Sequence, residues 1–263
     1  MRKRRWSLWL LLLLFLSALI FSFAPYFAKD RALLLIRVYD RYQEKNSIQE
    51  DIGLELDFPL GMMDFFPMLV TYNDEGLAKH LGKPIKFTVE YSFADFTHGK
   101  SSSQIYDKND PLYNAYIGSY SLAGFGEKLS ERDLMLISEY DMLHLALPAV
   151  GLSAAEGTFE ILELEKKEQD LNISSYPFIT YESTVLTNGP EHQGGSFVPG
   201  DLLFGSSPET DVDYPLIEMK GKIYQHYFAE QDLNLIFYTF GTTDEVSKEF
   251  EEKVINNIMI TFK

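Results

Sequence analysis

Five polar side chains that can bind a ligand or exchange protons fall in two long, glycine-bearing stretches of the chain. They are His98, Lys100, Tyr106, Glu191 and His192. The first three lie within residues 97–111 and the other two within residues 187–200. Imidazole, ammonium, phenol and carboxylate groups bind anions, stack on ligands or act as acids and bases. Loops of this length between strands are usually functional or disordered. We therefore expect these five residues to contribute to a binding site.

One pair among them has the composition of an acid–base couple. Glu191 precedes His192 directly, and glycines flank both. A carboxylate that orients an imidazole can support general base catalysis if the loop folds over a cleft. The sequence offers no third partner, so an exposed glycine loop explains the same residues.

Sequence motifs for other chemistries are missing. The chain has no glycine-rich phosphate loop, no zinc-type histidine pair, no Gly-x-Ser-x-Gly and no Ser-x-x-Lys. It has no cysteine, which excludes thiol nucleophiles and thiolate metal sites. No cofactor, metal site or catalytic residue is predicted. Two functions remain: a noncatalytic domain that binds a ligand or protein, and a hydrolase that uses a carboxylate pair or a Glu/His pair. We favour the binding domain, although carboxylate catalysis leaves little linear signature.

The N-terminus combines a basic cluster with a long apolar segment. Residues 2–5 are all Lys or Arg, and residues 6–24 carry no charge. As a helix, that segment would reach roughly 28 Å, close to the thickness of a hydrocarbon core. Small residues before Pro25 suggest a signal-peptidase site, but proline is a poor residue to follow the cut. The sequence thus favours an uncleaved anchor over a cleaved signal peptide.

The predicted domain organisation follows from this anchor and from the basic residues before it. Because the positively charged side of a span stays in the cytoplasm, the rest of the chain is expected outside. Residues 28–47 have the periodicity of an amphipathic helix. We predict a cytoplasmic tail (1–5), a transmembrane signal-anchor (6–27), a stalk helix (28–47) and an extracytoplasmic domain (48–263).

The composition is that of an acidic exported domain. The formal net charge is −16, so nucleic acid is a poor partner. A cysteine-free exported chain fits a bacterial envelope better than a eukaryotic cell surface. The expected partners are the cytoplasmic membrane, through the N-terminal helix, and an envelope protein or small ligand. The expected location is the cell membrane, with a single span.

Most of the exported part alternates apolar and polar residues with the period of a β-strand. The clearest strands lie at 84–93, at 112–122, at 158–165 and at 178–186. Residues 132–147 fit neither the helical nor the strand period, which leaves a helix and a strand-turn-strand equally open.

The C-terminus predicts a hairpin, a helix and a last strand. The hairpin comprises residues 222–229 and 233–240, and its second strand is apolar on both faces, as in the centre of a covered sheet. Thr242 and Glu245 have capping-box spacing before a helix, and residues 257–262 form the last strand. This ending resembles the close of PsbP-like α/β/α folds, a resemblance that implies helical cover but no activity. The predicted fold is α+β, mainly an antiparallel sheet with helical cover behind one N-terminal transmembrane helix.

Overall fold

The computed structural model describes residues 41–57, 68–93, 116–149, 154–188 and 216–263, together with Ser17, Val38 and Leu152. Contacts within the chain divide it into Met1–Tyr39 and Asp40–Lys263. In the first unit the two described residues are helical. The description that follows concerns the second unit, which is an α+β domain with mostly antiparallel strands and few helices.

Within the described ranges, ten strands form two antiparallel sheets. The strands are β1 Leu54–Asp57, β2 Met68–Asp74, β3 Lys86–Phe93, β4 Tyr116–Ala123, β5 Phe159–Lys166, β6 Leu171–Ile173, β7 Tyr176–Thr187, β8 Ile217–Phe228, β9 Leu233–Gly241 and β10 Met259–Phe262. The main sheet has the order β2-β3-β4-β9-β8-β7-β5, and β6 pairs with the start of β7. β1 and β10 pair with each other in a separate two-stranded sheet.

Four helices accompany the sheets in the described part of the second unit, besides a short helical segment at 41–44. They are α1 Ile48–Ile52, α2 Gly76–Leu81, α3 Glu131–Asp141 and α4 Asp244–Phe250. α3 continues as a π-helical turn, Met142–Ala146, and a last α-turn, Leu147–Ala149. α4 likewise continues as a π-helical turn, Glu251–Ile255. None of the helices in the described ranges is both long and apolar enough to cross a bilayer.

Strand β9 is the centre of the domain because both of its faces are covered. All nine of its residues are buried. Residues that face each other in an antiparallel register share a face of the sheet, and successive residues alternate. On one face, which we call the α4 face, Phe237 and Thr239 contact the region of α1, α4 and the β1–β10 pair. On the other, the α3 face, Tyr238 lies near α3.

The α4 face contains a large apolar cluster of described residues. Ile48 of α1, Leu54 of β1, Phe250 of α4 and Ile260 of β10 pack with strand residues such as Phe237. Burying such side chains contributes roughly 1.5–3 kcal/mol each. This cluster therefore joins the short β1–β10 pair to the main sheet.

The α3 face is covered by a helix that begins at a capping box. The Ser130 side chain accepts a hydrogen bond from the Asp133 backbone, and the Asp133 carboxylate accepts one from Ser130. Leu134 and Ile137 of α3 are fully buried, and Ser138 is bonded to Tyr120 of β4 over 3.2 Å. The undecided stretch at 132–147 is thus a helix over its whole length.

The strand predictions are largely confirmed. β3, β5, β7, β8, β9 and β10 lie where the period-two pattern placed strands. β4 begins at Tyr116, and residues 112–115 of that prediction lie outside the described residues. The hairpin-helix-strand ending is confirmed in order.

The capping box at Thr242 and Glu245 is wrong. The N-cap of α4 is Thr243, which is extended and makes no side-chain cap bond. Gly241 still belongs to β9 and pairs with Lys220, so the chain leaves the sheet one residue too late for Thr242 to cap the helix.

The N-terminal predictions fall mostly outside the described residues. Only Ser17 of the predicted span at 6–27 is described. Of the predicted helix at 28–47, Val38 and residues 41–44 are helical, and a turn follows at 45–46 before Ser47 caps α1.

Candidate functional site

The five residues that the sequence predicts as a binding site all lie outside the described residues. They are His98, Lys100, Tyr106, Glu191 and His192. The strands that flank their two stretches are described, however. β3 ends at Phe93 and β4 starts at Tyr116. Tyr116 pairs with Phe240 of β9, and Phe240 pairs with Gly221 of β8, so these residues lie at one end of the sheet. The end of β7 and the start of β8 lie beyond Gly221, at this same end of the sheet. Both stretches therefore connect to the same end of the sheet, while the site itself stays a prediction.

A cleft of about 620 Å³ lies on the α4 face, between strands β5, β7 and β8 and helix α4. We call it the mixed-charge cleft, because side chains of both signs line it. Its charged lining is Glu163, Glu165, Glu182, Lys220, Lys222, Asp244 and Lys248. Small-molecule sites typically have volumes of about 300–1,000 Å³. The cleft is therefore large enough for a small ligand or a short polymer segment.

The cleft is polar because α4 covers only part of this face. The helix packs on β8 and β9, where Ser247 is bonded to the buried Thr239 over 2.6 Å. Farther along the sheet, Glu165 of β5 and Glu182 of β7 face each other and are exposed. An antiparallel sheet can leave one face to solvent, and charged side chains then alternate with buried ones. The cleft lies at the boundary between the part of the sheet that α4 covers and the part that is exposed to solvent.

Ion pairs hold several of the charges in place. Lys167 Nζ lies 2.7 Å from Glu182 Oε2, and Lys220 Nζ lies 3.4 Å from Asp244 Oδ2. The hydrogen bond to Glu182 raises the pKa of Lys167, which stabilises the charged form of that pair. Exposed pairs of this kind contribute little to stability, roughly 0–1 kcal/mol each. They place charges of opposite sign next to each other along the rim.

The best-packed ion pair lies at the α4 side of the cleft. Lys222 Nζ and Glu251 Oε1 are 2.7 Å apart, and each side chain is 26% exposed. The hydroxyl of Tyr224 donates to the same Glu251 oxygen over 2.8 Å. Burial, and then the charge of Glu251, raise the pKa of Tyr224 well above its usual value. This triad positions Lys222 beside the cleft.

A second cleft, of about 740 Å³, separates the segment around Tyr42 from α2. Several of its polar groups are already hydrogen-bonded within the domain. The Asn73 amide donates to Gln43 Oε1 and to the Gln43 carbonyl, each over 2.8 Å. Thr88 Oγ1 donates to Asn73 and accepts from the backbone of Ile48. These bonds fasten residues 43–48 to strands β2 and β3, so this cleft is a structural seam.

The three described histidines lie away from the mixed-charge cleft. His80 lies in the last turn of α2 and His144 lies in the π-helical turn after α3, and both are exposed. His226 is half-buried on β8, with Nδ1 2.8 Å from the carbonyl of Pro177. Over the described ranges, no group of three or more His, Asp or Glu side chains is arranged to hold a metal ion.

Sequence reasoning missed the residues of the mixed-charge cleft. The signal was present as alternation: Glu163 and Glu165 in β5, Glu182 in β7, and Lys220 and Lys222 in β8 occupy the polar phase of their strands. Alternation marks a solvated face but does not tell which strands are neighbours. The order β5-β7-β8, which brings these charges together, becomes visible only in the folded chain.

The fold and this cleft have no counterpart in the comparisons with known proteins: no protein-family model, curated protein or solved structure matches the chain.

Proposed function

We propose that this chain is a noncatalytic binding protein of the cell envelope, whose extracytoplasmic domain takes a polar ligand or protein segment into the mixed-charge cleft. The ligand class follows from the lining. Exposed carboxylates and ammonium groups lie within one cleft, which suits a ligand that carries both signs of charge, such as a peptide. Charge complementarity of this kind contributes specificity and orientation more than raw affinity.

The observation that supports binding is the pairing of the cleft charges. Glu182 and Asp244 each have a lysine partner, and Lys222 is held by Glu251. Charged groups whose backbones belong to strands and a helix need less reorganisation when a ligand arrives than groups on loops.

A hydrolase is the second candidate, and one observation favours it. Glu165 and Glu182 are direct cross-strand neighbours, with Cβ atoms about 4.5–5.5 Å apart, so rotation of the two side chains can bring their carboxyl groups close together. Retaining glycosidases hold two carboxyl groups at about 5–5.5 Å. One of the two must be protonated at the working pH, and such an acid usually sits in a desolvated site. Glu182 is instead 47% exposed and bonded to Lys167, so we rank catalysis second.

Paired glutamine variants separate the two candidates. The full chain and its Glu165→Gln and Glu182→Gln variants are incubated with cell-envelope extract, and both released soluble fragments and amide hydrogen exchange are followed. A binding domain gives exchange protection along β5, β7 and β8 without fragment release. Fragment release that either variant reduces by roughly 10²–10⁴ would instead identify a hydrolase.

We also propose that residues 6–27 are a transmembrane signal-anchor, with residues 1–5 in the cytoplasm and a stalk at 28–47. The uncharged segment behind four basic residues supports this. N-terminal sequencing of the protein from its native membrane should find Met1 or Arg2. A mature terminus near Pro25 or Ala28 would contradict an uncleaved anchor.

A further inference from the structure

Two exposed histidines on different elements lie side by side on a fixed tyrosine ring. His80 lies in the last turn of α2, and His144 lies in the π-helical turn that follows α3. Their ring centres are 6.3 Å apart, and the Tyr140 ring lies 5.3 Å from that of His80 and 4.6 Å from that of His144. We call this group the His80–His144 pair. It is independent of the mixed-charge cleft.

Tyr140, against which both histidine rings pack, is held in place by a hydrogen bond. Its hydroxyl donates to Asp74 Oδ2 over 3.0 Å, and the same carboxylate oxygen accepts from the backbone of Leu77 over 2.7 Å. Gly76 makes this approach possible, because a Cβ there would lie 2.2 Å from the Tyr140 hydroxyl oxygen. Gly76, the Asp74 carboxylate and the N-terminus of α2 together fix the Tyr140 ring, against which both imidazoles pack.

The separation of the two rings is compatible with one shared metal ion. A metal lies about 2.0–2.1 Å from an imidazole nitrogen, so two rings on one tetrahedral ion have centres about 5.2 Å apart, and about 6.4 Å is reached only when the two nitrogens lie on opposite sides of the ion. The observed separation is 6.3 Å, so the two rings must move about 1 Å closer to share a tetrahedral ion. Because both side chains are exposed, small rotations about their side-chain bonds can bring the rings closer without moving the backbone.

Three further features favour a cation here. Imidazole is a ligand type that suits zinc, copper, nickel and iron, and affinity for such sites rises along the first row to a maximum at copper. The π-helical turn that carries His144 is a helix irregularity frequently found at functional sites. The net charge of the chain, −16, attracts cations to its surface.

We propose that His80 and His144 bind one late first-row transition-metal ion, of the Zn²⁺ class, with Tyr140 as a positioning residue. Two protein ligands leave the remaining coordination positions to water or to a side chain of a bound partner. The site would thus allow the ion to connect this domain with a second molecule.

The test is Zn²⁺ titration of the full chain by calorimetry, with metal-free melting curves to check folding. His80→Ala and His144→Ala should each weaken the site by about tenfold or more, and the double variant should bind one Zn²⁺ fewer than the wild type. Tyr140→Phe, which releases the ring from Asp74, should lower affinity without changing stoichiometry. His226→Ala is the matched control, because its Nδ1 is already bonded to Pro177, and it should leave the isotherm unchanged.

Comparing stoichiometry between variants distinguishes this pair from His98 and His192, which any of these variants still carries. If the double variant binds Zn²⁺ with the number of sites and the affinity of the wild type, the pair is not a metal site. Absence of Zn²⁺ binding by the wild type at millimolar metal would overturn the proposal equally.

Discussion

Glu139 of α3 is a carboxyl group that the fold partly removes from water. Burial raises its pKa above the ordinary value of 4.5; the hydrogen bond from the Ile161 backbone opposes this, and the neighbouring Glu160 adds to it. The folded chain thus holds this proton to higher pH than the unfolded chain. Burial of the charged carboxylate lowers the free energy of unfolding. This loss is absent below the ordinary pKa, appears as the pH rises through the raised pKa, and persists at neutral pH.

We expect Glu139→Gln to gain stability relative to the wild type as the pH rises above about 4.5. Glutamine keeps the oxygen that accepts from Ile161 but has no charge to desolvate. The gain should be well under about 1 kcal/mol because the group is half solvated and screened. Urea unfolding between about pH 4 and about pH 8 measures it. The control is Glu168→Gln, an exposed carboxylate, and a stability difference for Glu139→Gln that does not change with pH would contradict this account.

At the scale of secondary-structure elements, the turn between β6 and β7 also binds strand β10. Ser174 and Ser175 both have positive φ, at 50° and 72°, as a tight hairpin with two left-handed residues requires. The Ser174 hydroxyl also accepts from the backbone of Ile260 over 2.8 Å. The turn therefore closes the outer edge of β10, which would otherwise present an unpaired donor.

Replacing Ser174 by alanine should destabilise the domain by about 1–2 kcal/mol, because the part-buried N–H of Ile260 loses its partner. Ser175→Ala is the matched control, since it changes the same atoms at a left-handed position in the same turn. Chemical denaturation of both variants gives the comparison. Equal losses for the two serines would show that the turn does not fasten β10.

The sequence predicts whether a segment is a helix or a strand where one physical signal dominates. Alternation identified β3 and β5, and the doubly apolar run identified β9 as central. Helix α3 was left open because its apolar residues serve a helix that ends in a π-turn, where the 3.6-residue period is interrupted. Its capping box at Ser130 and Asp133 was legible in the sequence and would have decided the question. The β1–β10 pair was not predictable, because each strand is four residues long and the partners are far apart in the chain.

At the scale of the molecule, several tyrosines are buried in the sheet. Burial raises the pKa of Tyr120, Tyr224 and Tyr238 well above the ordinary value of 10.0. The folded state therefore keeps these phenols protonated where the unfolded chain releases the protons. Stability is unaffected below the ordinary pKa and falls as the pH rises above it.

We predict that the wild type loses stability above about pH 10 more steeply than Tyr120→Phe does. Each phenol that ionises only on unfolding contributes up to about 1.4 kcal/mol per pH unit. Near neutral pH the variant should be less stable by about 1 kcal/mol, since it lacks the bond to Ser138. Tyr42→Phe, an exposed ring, serves as the control. Parallel alkaline unfolding curves for wild type and Tyr120→Phe would contradict the assignment.

The candidate site was less predictable than the fold. The sequence pointed to residues in two loops, among them His98 and His192, because polar residues between confident strands attract attention. The described cleft is instead formed by strands, through Glu165, Glu182 and Lys222. Strand neighbours are set by long-range pairing, and a single sequence carries no direct record of that pairing.

The central claim, that the mixed-charge cleft is a binding surface, is tested most directly by charge reversal. Lys220→Glu with Lys248→Glu changes two exposed lysines of the cleft. Lys45→Glu with Lys128→Glu makes the same change in net charge on exposed residues outside its lining. Hydrogen exchange of each full chain is compared with and without cell-envelope extract. We predict protection of β5, β7 and β8 in the wild type and in the outer pair, and its loss in the cleft pair. Protection that survives in the cleft pair, or that never appears on these strands, would contradict the claim.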